Sequence, residues 1–137
     1  MKMRRVDARQ FDTRDWYDHV VYMAQTKSIG RYNRLPLDIN VRLCNRLSSA
    51  GRNFGGWNIK VVAGNDPADV KECVVHEAAH TLAGVSHGHD ATFYVTLITL
   101  AKACGVPLEY VVQRESWYKP RGLNKALRSM HLTRLVR

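Results

Sequence analysis

The 137-residue chain predicts an α+β domain, in which a small sheet packs on an N-terminal helix and a later helix carries a histidine-rich site. Three observations predict it. Residues 13–30, TRDWYDHVVYMAQTKSIG, place Trp16, Val20 or Val21, Met23 and Ala24 at helical spacing, with Thr13 as a possible N-cap and Gly30 at the end. Residues 35–43, LPLDINVRL, alternate Leu35, Leu37, Ile39, Val41 and Leu43 with mostly polar neighbours, the pattern of a half-buried strand. Asp66 then precedes Pro67, where the carboxylate can cap open amides and the fixed φ of proline suits the first helical position.

The remaining elements follow from their punctuation. CNRLSSAGRNFGG, rich in Gly, Ser and Asn, reads as a loop, and WNIKVVAG as a second short strand ending at Gly64. The helix that Asp66 opens should run to about Ala83, with Gly84 as its stop. A loop, VSHGH, leads to Asp90, the cap of a further helix that carries Phe93, Leu97 and Leu100 and ends before Gly105. Beyond VPLEYVV, the segment LNKALRSMHLTRLVR reads as a short basic amphipathic helix.

Composition narrows the classes of function. A hydrophobic content of 45% excludes a disordered chain, and no apolar run approaches the roughly 18 residues of a membrane span. MKMRRVDARQFD has basic residues without an apolar segment behind them, so no secretory signal is expected and cytoplasmic residence is. Cys44, Cys73 and Cys104, about thirty residues apart, form neither a disulfide framework nor a CxxC clip and are expected to be buried thiols. The net charge of +9 is uneven: residues 113–137 hold seven Lys or Arg against one Glu, whereas the stretch 13–112 is almost neutral. Such asymmetry suits a polyanionic partner, and equally a solvated tail.

Chemistry concentrates in VVHEAAHTLAGVSHGHDATF, residues 74–93, which holds four of the six histidines. His76 and His80 are four apart on the predicted helix, so both imidazoles project from one face and can share a metal ion. Glu77 lies about 100° further round, beside the metal. This is the HExxH arrangement, in which the glutamate takes a proton from a zinc-activated water. A catalytic zinc needs a third protein ligand, and His87 and His89 both lie past Gly84, where the chain can turn back.

With its GHDATF element, residues 88–93, the stretch resembles the active-site helix of SprT-like, Spartan-type zinc metalloproteases, in which HExxH is followed by a GHGxxF-like element whose histidine is the third ligand. NRLP upstream and the RLSSAGR segment are similar as well, and the resemblance spans residues 13–112. It implies a compact zincin-like domain of the minigluzincin type over residues 1–112, with 113–137 as a basic extension packed on it. It selects His89 as third ligand, leaving His87 as the alternative. Asp90 replaces the family's second glycine and reads as a helix cap or a partner to a ligand. Where some members of that family carry a cysteine-rich zinc ribbon, residues 113–137 hold no cysteine and are basic. The metzincin spacing fits less well, since it needs glycine at 83 and histidine at 86, where the chain has Ala83 and Ser86. A gluzincin ligand would have to come from Glu109 or Glu115, neither in a motif.

These readings imply a zinc-dependent endopeptidase with Glu77 as general base, acting on a protein or peptide substrate and, as the resemblance implies, on DNA-associated protein. The alternative is a non-catalytic nucleic-acid- or protein-binding module with structural zinc. WNIKVVAG resembles the edge strand on which zincins align extended substrates. Tyr94, Tyr110 and Tyr118 are candidate oxyanion stabilisers. Trp117, Tyr118, Lys119, Arg121, Lys125 and Arg128 combine aromatic and basic character that suits single-stranded DNA. A monomer without membrane attachment is expected.

Overall fold

The structure, a computed structural model, describes residues 13–30, 35, 39–43, 51–54, 58–63, 67–117 and 119–136. Among the described residues, five helices follow in chain order: α1 (Thr13–Thr26), α2 (Pro67–Ala83), α3 (Ala91–Cys104), α4 (Leu108–Glu115) and α5 (Pro120–Ser129). A single 3-10 turn, Val85–His87, joins α2 to α3, and another, Thr133–Leu135, follows α5.

This architecture corrects the expected α+β, zincin-like class. Helix makes up 78% of the part of the chain whose side chains are described, and no strand lies in that part. Every core side chain among the described residues comes from a helix or from the turn after α3. The physical reason lies in α2 and α3. Val70, Cys73, Val74, Val75, Ala78, Ala79 and Leu82 are buried around α2, not along one stripe. A helix that is apolar on most sides needs partners on most sides. It packs on α3 and α1, whose Phe93, Leu97, Ile98, Tyr17, Val20 and Ala24 share its buried cluster.

Main-chain pairing joins three short segments, β1 (Ile39–Leu43), β2 (Gly51–Phe54) and β3 (Asn58–Ala63), in the order β1-β3-β2. β3 runs parallel to β1 and antiparallel to β2, so both of its edges are occupied. The expectation that WNIKVVAG is a substrate-aligning edge strand is therefore corrected: a strand paired on both sides has no open row of amides and carbonyls to offer. Leu37, Cys44, Asp66 and Tyr118, and the loop CNRLSSAGR up to Ala50, lie outside the described residues.

α3 begins where expected. The Asp90 carboxylate accepts from the Phe93 amide at 3.0 Å, and Gly105, in the left-handed region at φ 83°, closes the helix. α4 was not foreseen, because VPLEYVV is β-branched and apolar, a composition with weak helical preference. Tertiary burial of Val111 and Val112 decides its conformation. α5 starts at Pro120, three residues earlier than its periodicity suggests, and ends at Ser129 instead of continuing to the last residues. Its buried stripe, Leu123, Ala126 and Leu127, packs on α3. Two fully buried leucines contribute roughly 3–6 kcal/mol of transfer free energy, which holds this basic helix against the body. Cys73 and Cys104 are buried, and burial pushes the Cys73 thiol up and that of Cys104 up to about 12.

Candidate metal centre

His76 and His80 lie one turn apart on α2, and the chain reverses after Ala83 to bring His89 onto the same face. The reversal depends on Gly88, whose φ of 61° and ψ of −131° suit glycine because a Cβ would meet the adjoining carbonyl. One nitrogen from each of His76, His80 and His89 lies within 4.8 Å of the other two. His76 Nε2 and His89 Nε2 are 3.2 Å apart. Two nitrogens bound tetrahedrally to one zinc ion at about 2.0–2.1 Å would be separated by about 3.3 Å, so the donor set and its spacing fit a metal.

Phe93 lies against all three imidazoles. Its ring stacks on His80 with centroids 4.1 Å apart and meets His76 and His89 edge-on at 5.0 and 5.1 Å. The fully buried phenylalanine restricts the rotamers of the three rings and keeps water from their inner side. Burial, aided by the neighbouring imidazoles, lowers His80 to about 3; burial, His76 and then Lys119 lower His89 to about 4. Both rings are consequently neutral near pH 7, the form that can ligate a metal.

Glu77 is 4% exposed, and its Oε2 stands 3.8 Å from His76 Nε2. Burial pushes its carboxyl up to about 7; His76 opposes the shift, and the carboxyls of Glu115 and Glu72 add to it. A carboxylate poised near neutrality beside a metal-binding face is suited to accepting and returning a proton.

His87, the alternative third ligand, is not brought into this cluster. Its Nδ1 pairs with Asp90 Oδ2 at 2.9 Å on the exposed side of the loop. Asp90 thus caps α3 through one oxygen and holds His87 with the other. Among the oxyanion candidates, Tyr110 donates to Asp69 at the start of α2, and the buried Tyr94 hydroxyl lies beside the Glu115 carboxyl. Neither hydroxyl is directed to the histidine face. Trp117 is 88% exposed, and Lys119, Arg121, Lys125 and Arg128 are all exposed.

Two residues of the site escape sequence reasoning. Glu115, on α4, places its Oε2 2.8 Å from His76 Nδ1 across 39 positions, and no motif marks it. Gly122, on α5, faces the main chain of His89: a Cβ there would stand 2.7 Å from the His89 carbonyl oxygen and 3.3 Å from the carbonyl carbon of Asp90. Gly122→Ala is therefore expected to displace His89. Its zinc dissociation constant, measured by chelator competition, should rise at least about tenfold, the lower range for loss of ligand support. Wild-type affinity in this variant would show that the loop absorbs the contact.

Comparison of the chain with known protein families, with curated proteins and with solved structures found no match.

Proposed function

We propose that the chain is a zinc-dependent endopeptidase in which His76, His80 and His89 hold the metal and Glu77 is the general base. The observation that carries this reading is the convergence of three imidazoles on one face, with the buried Glu77 carboxylate beside it. The likeness of HEAAH and GHDATF to the SprT-like protease motifs supports it. Zinc bound there would supply Lewis acidity towards water and the peptide carbonyl. Glu77 takes the proton that leaves the nucleophile and delivers it to the departing amine. Phe93 excludes water behind the imidazoles, and the partly exposed fronts of the three histidines leave access for a peptide.

The test is hydrolysis of an unstructured protein by the zinc-loaded chain, abolished by a chelator and restored by zinc. Stoichiometric zinc without hydrolysis would instead favour the non-catalytic module.

The basic surface is assigned to single-stranded DNA on the exposure of Trp117 beside four exposed cations, in a chain whose charge gathers at that end. No helix among the described residues is long and apolar enough to cross a membrane. If Lys119, Arg121, Lys125 and Arg128 neutralise phosphates, reversing all four to Glu should make the log–log salt slope of binding shallower by about three units, at about 0.7 per phosphate. Trp117→Ala should weaken binding with little change of slope, because stacking releases few counterions. Unchanged affinity in the charge-reversed protein would make this surface a solvated one.

A further inference from the structure

Behind His76 lies a run of polar groups that the proposed reaction does not use. The two ring nitrogens of His76 face opposite ways: Nε2 joins the histidine cluster, and Nδ1 points to α4, 2.8 Å from Glu115 Oε2. Glu115 is 4% exposed and is approached from three helices. Glu72, one turn before His76 on α2, hydrogen-bonds to its carboxyl, and the Tyr94 side chain from α3 lies beside it. Arg114 adds positive charge on α4 and is anchored to Asp69 at 2.7 Å, with its Nε 3.8 Å from Glu72. Glu72 is itself 3% exposed, and its Oε1 has no hydrogen-bonding partner among the described residues.

Glu115 Oε2 stands 2.8 Å from His76 Nδ1, and a histidine that turns one ring nitrogen to a metal-binding cluster characteristically donates its other N–H to such a carboxylate. That places the ring proton on Nδ1 and a lone pair on Nε2, towards His80 and His89. Imidazole on its own does not prefer this arrangement enough to guarantee it; the buried carboxylate selects it.

We propose that Glu115 is a positioning residue of the metal centre, which fixes His76 as the Nδ1–H tautomer and thereby readies it for the metal before the metal arrives. The proposal rests on the metal-site reading of His76, His80 and His89. It makes α4, which supplies no ligand, a working part of the centre. Loss of such a partner typically lowers metal affinity about 10–100-fold.

Two measurements test it. The first is long-range 1H–15N correlation on the metal-free wild-type protein, which reads the tautomer of His76 directly and needs no variant to fold. Nδ1 should be the protonated nitrogen, and protonation of Nε2 there overturns the proposal. The second is zinc affinity by chelator competition for wild type, Glu115→Ala and Glu115→Gln. Glu115→Ala should bind zinc about 10–100-fold more weakly and lose the Nδ1–H signature. Glu115→Gln, whose amide oxygen can still accept, should keep the signature and recover most of the affinity. If wild type binds no zinc, the metal-site reading fails and this proposal with it. If wild type binds zinc and a folded Glu115→Ala binds it as tightly, only this proposal fails. Should Glu115→Ala not fold, the wild-type tautomer and Glu115→Gln decide.

Discussion

Glu77→Gln is expected to retain one zinc per chain and a near-native melting temperature while losing hydrolysis. Glutamine matches glutamate in shape, so the packing around a side chain that is 4% exposed should survive. The substitution also removes an ionisable group whose burial already opposes its charge, which spares the folded state a desolvation cost. Metal should remain because Glu77 is not one of the three residues whose nitrogens converge, and its carboxylate stands 3.8 Å from His76 Nε2. Activity should fall because an amide cannot accept a proton near neutral pH, and general-base catalysis is worth about 10²–10⁴-fold. Zinc content by mass spectrometry, thermal unfolding and cleavage of an unstructured protein measure the three properties on one preparation. Loss of zinc would make Glu77 a ligand. Full activity would remove Glu77 from its role as general base.

His89→Ala is expected to cost the protein its tight zinc, and His87→Ala to leave it unchanged. The two residues differ by two positions and by their surroundings. His89 places its Nε2 3.2 Å from that of His76 and packs against Phe93, whereas His87 stands 40% exposed, hydrogen-bonded to Asp90. Removing one of three ligands leaves two imidazoles on a helix, and the loss should exceed the roughly 10–100-fold that a supporting hydrogen bond is worth. An exposed pair such as His87–Asp90 contributes about 0–1 kcal/mol to stability, so its removal should hardly move the melting temperature. Chelator competition on both variants gives the comparison. Stripped metal in His87→Ala, with His89→Ala intact, would reverse the assignment. His76→Ala and His80→Ala should both abolish stoichiometric binding.

How much of this was legible in the residues divides along the range of the interactions. His76 and His80 share a face, and Glu77 stands beside it, because 3.6 residues per turn places them so once the segment is helical. Asp90 caps α3 and Gly105 ends it for equally local reasons. Lys119, Arg121, Lys125 and Arg128 could be read as a charged surface, since Lys and Arg seldom leave water. The body of the protein could not be read in this way. The alternation in 35–43 suggests a sheet as a partner for the first helix, yet every side chain of the described core comes from a helix or from the turn after α3. VPLEYVV has no periodicity that distinguishes a strand from one buried side of α4. Glu115 lies 39 positions from the histidine it meets, and Gly122 is separated from His89 by all of α3 and α4. Backbone geometry is repeated residue by residue and can be read from a short window. Which apolar faces meet, and which buried carboxyl is carried to the back of an imidazole, depends on the simultaneous packing of every helix, and that is decided only in the folded chain.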